Sequence, residues 1–343
     1  MAEASEKFKQ LAMANGRHVQ CKIEVGEQTY YDDKLLKFDF TDVTHDNWYT
    51  IGTTCANEFS FTVVDYTRHE LHTRVVPYIS FDGLEWFRLG VFFVARRLFR
   101  ERYATLVCYD KMEALDVEVE GYLHVSVSSR ADLLLNAVCE QAGITFRGEC
   151  RSFKTFLPPP STTLRQIIGY IAALHCACAK FDHNGDLVFK KHEIIPHDTL
   201  SADNCMHIRR NITYATISGL RVNNGLETLL YGGHNRLETV ELYNPYMTQE
   251  ILNKVGATLE ALRFYGAEVE MQGLPFLESG DFIWLENADG IHAPIIMSEI
   301  KYHYDGSLTA KLYSKNKADH DDFVPRSEFE KTVGDIWEKL NSM

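Results

Sequence analysis

The stretch Leu274-Pro275-Phe276-Leu277-Glu278-Ser279-Gly280-Asp281-Phe282-Ile283-Trp284-Leu285-Glu286 decides how this chain is read. It leads into a turn at Asn287-Ala288-Asp289-Gly290. A second apolar run follows from Ala293 to Tyr304, then Asp305-Gly306, then a last run from Ser307 to Ser314. Asp-Gly supplies the positive φ of a tight hairpin, and β-branched and aromatic neighbours favour the pleated state. The spacing predicts a three-stranded antiparallel meander.

The same plan stands earlier in the chain. Val75 to Phe81 leads to Asp82-Gly83, Trp86 to Arg97 follows, and a polar turn at Arg100-Glu101-Arg102 leads to Tyr103 to Tyr109. In both places an Asp-Gly turn joins strand one to a long strand two, and strand three ends near a tyrosine (Tyr109, Tyr313). The copies are too far apart for a short tandem repeat. The pattern points to two related β-domains with other material between them; two unrelated hairpins are the plainer alternative.

At 343 residues the chain has room for two or three domains. Its 45% hydrophobic and 12% aromatic content is ample for buried cores. No run approaches the roughly 18 apolar residues of a membrane span. Met1 to Arg17 is polar and does not read as a secretory signal. Eight cysteines without such a signal read as reduced thiols. The formal charge of −13 opposes a nucleic-acid clamp, which needs a basic face.

Met1 to Asn15 has the spacing of a short amphipathic helix on Phe8, Leu11 and Ala12. Arg17 to Tyr109 alternates with period two in several short runs, the signature of a small barrel or sandwich. From Lys111 to Cys205 the character changes. A helix is predicted over Arg130 to Ala142, capped by Ser128 or Ser129 and stopped by Gly143. Pro158-Pro159-Pro160 precedes a second, buried helix, Leu164 to Ala177, capped by Ser161 or Thr162. His183-Asn184-Gly185 turns a hairpin. Met206 to Tyr243 returns to β. Met247 to Tyr265 reads as a helix capped by Thr248 and stopped by Gly266. After an acidic linker, Phe329, Val333, Ile336 and Leu340 are spaced four, three, four, a candidate trimer seam; a helix docked on its own subunit fits as well.

Catalytic motifs are largely missing: no nucleophile elbow, no P-loop, no dinucleotide fingerprint. His69-Glu70-Leu71-His72 is one residue short of a zinc-protease helix and reads as a polar loop. Cys176-Ala177-Cys178 is one residue too close for a C-x-x-C pair and reads as buried thiols on an apolar helix. His175 and Cys176 are neighbours about 100° apart on that helix, so they cannot pair directly. Asp182 to Asp186 lacks the bidentate glutamate of a calcium loop. Glu278 and Asp281 belong to turn chemistry. No catalytic, cofactor or metal residue is assigned. Trp48, Tyr49 and Trp86 look exposed and keep a carbohydrate-binding module open as an alternative, beside an enzyme that is either a cysteine hydrolase around Cys176 or a cell-wall hydrolase.

Gly273 to Asp281 with the meander ending Tyr304-Asp305-Gly306-Ser307-Leu308, the segment Met247 to Gln272, and the middle unit with Leu164-Arg165-Gln166-Ile167-Ile168 and Asp182 to Asp186 resemble the tail-hub, or baseplate-hub, proteins of tailed bacteriophages and related contractile injection systems. The resemblance runs from about Arg17 to Lys315 and is one of organisation. It implies a mainly β chain with α+β insertions: an N-terminal arm over 1–16, a tube-type β-barrel over 17–112, an α+β domain over 113–205, a second tube-type barrel over 206–318 with an inserted helix at 247–265, and a linker and C-terminal helix over 319–343. It further implies a non-catalytic homotrimer in the virion tail, assembled in the host cytoplasm. Three chains would make a pseudo-six-fold ring between the tail tube or distal tail protein and a three-fold spike, fibre or tape-measure protein. An acidic lumen would let DNA pass without sticking. Relatives that continue into a fibre or hydrolase extend further, so lysis would come from another polypeptide.

Overall fold

The computed structural model describes residues 4–45, 48–119, 129–193, 195–232, 239–286, 290 and 292–315. The seam positions Phe329, Val333, Ile336 and Leu340 lie outside the described residues. The chain is mainly β, 44% strand, with four α-helices among the described residues. Helix α1 (Glu6–Met13) is capped by the Ser5 side chain and buries Phe8 and Ala12. The first β segment is β1 (Gln20–Val25), β2 (Gln28–Tyr31), β3 (Leu35–Val43), β4 (Glu58–Val64), β5 (Arg74–Ser80), β6 (Phe87–Arg88), β7 (Phe92–Phe99) and β8 (Tyr103–Tyr109). The middle holds α2 (Ala131–Ala142), α3 (Leu164–Leu174), β9 (Ala177–Phe181) and β10 (Leu187–Lys191). Then come β11 (Thr199–Leu200), β12 (Cys205–Thr216), β13 (Gly219–Asn223), β14 (Thr228–Gly232), β15 (Thr239–Tyr243), α4 (Gln249–Glu260), β16 (Arg263–Gln272), β17 (Phe282–Glu286), β18 (His292–Ile296), β19 (Glu299–Tyr304) and β20 (Leu308–Ser314).

Strands of both β segments join one twelve-stranded sheet in the order β12-β16-β20-β19-β3-β4-β8-β7-β5-β1-β2, with β6 on β5. The path has two ends, so the pairing among the described residues is open, and the expected barrels do not appear as closed sheets. Between the two β segments the pairing scheme repeats. In the first segment β3 pairs β4, β4 pairs β8, β8 pairs β7, and β7 with β6 pairs β5, all antiparallel. In the second, β12 pairs β16, β16 pairs β20, β20 pairs β19, and β18, which continues into β19, pairs β17, again all antiparallel. The same five roles follow in the same chain order.

Several local expectations are corrected. The run Ala293 to Tyr304 is not one strand of one meander. Met297 N–H donates to the Asp281 carbonyl at 3.0 Å, and Ser298 N–H donates to the Tyr313 carbonyl at 2.8 Å. Consecutive amides thus serve different strands, and the chain crosses from the β11-β17-β18 sheet into the large one at this corner. Helix α4 keeps its Thr248 cap but ends at Glu260 rather than at 265. Gly266 stops nothing: it lies inside β16, whose two edges are claimed by β12 and β20. Helix α3 is capped by Thr163 in a capping box with Gln166, not by Ser161 or Thr162, and ends before Cys176. Helix α2 has Arg130 at its N-cap with no side-chain cap, while Gly143 at φ 59 closes its C-terminus as expected.

Two cores result. One is built by both β segments and α1. The other gathers α2, α3 and β9 together with Leu220, Val222, Val240, Leu252 and Leu259 from β13, β15 and α4. The excursion between β12 and β16 therefore packs on the middle unit.

Candidate functional site: the joint between the β segments and the open strand edges

Strand β3 of the first segment pairs β19 of the second, in register from Val43↔Glu299 to Phe38↔Tyr304. Alternation decides the chemistry of the two faces. Inward, Phe38 stacks on Tyr304 with centroids 5.2 Å apart, and Phe40 stacks on Tyr302 at 5.6 Å. Outward, Asp39 meets His303 at 2.7 Å. Tyr302 and Tyr304 are thus core residues, as the strand pattern predicts.

The middle unit is tied to this joint by a buried charge. Lys180 on β9 is 3% exposed. Its Nζ donates to Asp42 Oδ1 at 2.7 Å and to Ser279 Oγ at 3.0 Å. Asp42, at the end of β3, also accepts from Ser279 N–H at 2.7 Å and Ser279 Oγ at 2.8 Å. Lys190 on β10 pairs with Asp281 and lies 3.5 Å from Glu278. Burial opposes its charge, but the two carboxylates prevail and raise its pKa. Glu278 and Asp281, read from sequence as turn residues, therefore also anchor the middle unit.

Among the described residues, two edges equivalent to the joined ones are left open. By the repeated pairing, β12 occupies the role of β3 and β7 that of β19. Strand β12 ends the sheet path. Strand β7 pairs β5 only through Phe92 and Phe93; from Ala95 to Phe99 its outer edge has no ladder partner among the described residues. Both edges carry exposed apolar side chains: Leu98 at 55% on β7 and Met206 at 64% on β12.

The residues singled out for chemistry are dispersed. His69 is buried against the Tyr30 hydroxyl at 2.8 Å, and burial lowers its pKa. His72 sits apart at φ 62. Cys176 and Cys178 are buried, as expected, but not on a helix: Cys176 occupies a turn at φ 54 and Cys178 lies in β9. His175 does not meet Cys176. Its Nε2 lies 3.5 Å from Cys150 Sγ and accepts from Arg151 N–H at 3.3 Å. Burial pushes the Cys150 thiol up to about 12 and the imidazole down to about 4. A neutral thiol beside a neutral imidazole is the reverse of an activated nucleophile pair. Asp182 accepts from Asn184 and Asp186 N–H and simply shapes a hairpin. Tyr49 is not exposed: it is 2% accessible and packs on His192 and Phe264, while Trp48 and Trp86 are half-buried.

No protein-family model matches the chain, and no curated protein matches it. Solved structures do. The fold is similar to that of two solved tail proteins. One is a tail protein from Neisseria meningitidis MC58, at a TM-score of 0.60 and 13% identity over 86% of this chain and 96% of that one. Another is the 43 kDa tail protein of prophage MuSo2 from Shewanella oneidensis, at a TM-score of 0.57 and 14% identity over 87% of this chain and 98% of that one. The shared fold spans nearly the whole of each.

Proposed function

We propose that this chain is a non-catalytic structural hub of a phage tail tip or baseplate. In this reading it is a homotrimer whose two related β segments, 17–112 and 206–318, form a pseudo-six-fold ring between the tail tube and a three-fold spike or fibre. The observation that carries it is the mismatch between joined and open edges. Within one chain, β3 of the first segment takes β19 of the second. The equivalent edges, β12 and β7, are left free and face the same kind of contact with another copy. Such a head-to-tail contact closes into a ring when its rotation allows. Two segments per chain make three copies the closure that matches a six-fold tube. The middle unit, held by Lys180 and Lys190, buttresses each joint from one side. The net charge of −13 suits a lumen that does not retain DNA.

Carrying the β3·β19 register over by the repeat places His207 of one copy opposite Leu98 of the next, as Asp39 lies opposite His303. Sedimentation should give a concentration-dependent trimer. Leu98→Cys with His207→Cys should cross-link between copies under mild oxidation, up to closed trimers, and neither single variant should. A particle that stays monomeric at every concentration, with no cross-link in the double variant, would end the ring.

A further inference from the structure

We propose that His45, Cys178 and His192 form a zinc(II) site that clamps the middle unit to the end of β3. The three come from separate elements: the residues just after β3, strand β9, and the residues just after β10. Cys178 Sγ lies 3.5 Å from His45 Nε2 and 3.6 Å from His192 Nε2, and the three ligand atoms all fall within 4.8 Å of one another. Bonds of about 2.3 Å to sulfur and about 2.0–2.1 Å to imidazole nitrogen, at tetrahedral angles, put sulfur and nitrogen roughly 3.5–3.6 Å apart. The chain thus holds the two sulfur–nitrogen edges of a zinc tetrahedron. One thiolate with two imidazoles is a borderline-soft set that suits zinc and rejects magnesium or calcium. It is the one such cluster among the described residues.

The surroundings fit a ligand role. His45 is 0% exposed, Cys178 1%, and His192 is half-buried, so one side stays open to entry. His45 Nδ1 lies 2.9 Å from Thr44 Oγ1, which can donate its own proton to the Ser298 carbonyl at 3.3 Å. Binding zinc at Nε2 moves the imidazole proton to Nδ1, which then donates to this hydroxyl. That is the hydrogen-bonded support metal-binding histidines require. Without metal, the Thr50 carbonyl accepts from both groups, 2.9 Å from His45 Nε2 and 3.7 Å from Cys178 Sγ. The Tyr49 ring packs 4.6 Å from His192 and 5.2 Å from His45. Its buried hydroxyl has no hydrogen-bond partner among the described residues. Binding is balanced by loss of one proton: the Cys178 thiol becomes a zinc thiolate and releases H⁺, while both imidazoles bind neutral.

The test uses the full untagged chain, stripped with a chelator and titrated with cobalt(II). Wild type should develop a thiolate-to-cobalt charge-transfer band and tetrahedral d–d bands that saturate at one equivalent and are erased by zinc. Cys178→Ser should abolish the charge-transfer band. His192→Gln should weaken binding at least tenfold, and Cys150→Ser should leave the spectrum unchanged. Absence of the band in folded wild type, or its survival in Cys178→Ser, overturns the site. If a variant does not fold, zinc-edge X-ray absorption on wild type decides. One sulfur with two imidazoles supports the assignment; a shell without sulfur, or with several, refutes it.

Discussion

Exchanging Lys180 for methionine removes a buried ammonium while keeping most of the side chain's volume, so the loss reports the charge more than the packing. In Lys180→Met, Asp42 keeps its bonds from Ser279 N–H and Oγ but loses the cation 2.7 Å away. Breaking one half of a buried pair costs about 3–5 kcal/mol. The two surviving bonds argue for the lower end, about 3 kcal/mol. Asp42→Asn leaves the ammonium with Ser279 alone, at 3.0 Å from Oγ and 3.4 Å from the carbonyl, and should cost about 4 kcal/mol. The double variant buries no net charge there. It should lose less than the sum of the singles by at least about 2 kcal/mol. Urea unfolding followed by tryptophan fluorescence and far-ultraviolet dichroism measures all four proteins. Additivity within about 0.5 kcal/mol, or a Lys180→Met variant as stable as wild type, would refute the claim that this pair ties β3, β9 and the residues before β17 together.

Two further substitutions probe the same neighbourhood. Gly169→Ala in α3 would ordinarily gain about 1 kcal/mol of helix propensity. Here the new Cβ would sit 2.6 Å from the Gly52 carbonyl oxygen. That loop cannot retreat, because Gly52 N–H donates to the Ala177 carbonyl and Ala179 N–H to the Thr53 carbonyl. The thermal midpoint should therefore fall, with a net cost of about 1–3 kcal/mol; a rise would show the contact to be slack. Asp110 is buried, and burial raises its pKa from 3.8 to about 7 against the N–H bonds from Asn57 and Met112. The folded chain binds that proton more tightly than the unfolded one. Its contribution to stability is present below about 4 and is lost as pH climbs to about 7, by on the order of 2–4 kcal/mol. Chemical unfolding of wild type and Asp110→Asn across this range should show the slope in wild type alone; parallel profiles would remove Asp110 as its source.

What could be read in the sequence is what neighbours in the chain settle. Hairpins at Asp82-Gly83, His183-Asn184-Gly185 and Asp305-Gly306 form where glycine takes a positive φ, at 72, 86 and 102°. Period-two alternation marked β1 and β4 because each has one buried face. The rest depends on partners far away in sequence. Nothing local says that Met297 and Ser298 bond to different sheets, or that Gly266 continues a strand wedged between two others. Every residue of β9 is buried, so Lys180 sits in a run with no alternation to flag it. Tyr49 stands next to polar loop residues yet packs on His192 and Phe264. The metal-type cluster draws on positions 45, 178 and 192, a spacing no motif describes. The signal available was a cysteine, Cys178, in an apolar run, and only the fold says which histidines arrive.

The repeated pairing also ranks the two kinds of joint. At β3·β19 the inward positions are filled by Phe38, Phe40, Tyr302 and Tyr304, and stacked aromatic pairs are worth about 0.5–1.5 kcal/mol each beyond their area. At the edges left free, the roles of Phe38 and Phe40 fall to Cys205 and Ile208, and those of Tyr302 and Tyr304 to Arg97 and Phe99. Neither stacked pair can form there, and the outward Asp39–His303 contact is replaced by His207 and Leu98. A contact between copies built on these residues is weaker than the one inside the chain. In the proposed ring, folding would therefore precede assembly: each chain would complete its own joint first, and the remaining edges, with Leu98 and Met206 exposed, would associate only at higher concentration or on a template that holds copies side by side. On that reading the order would help, because a ring that closed too readily would form away from the tube it is proposed to meet.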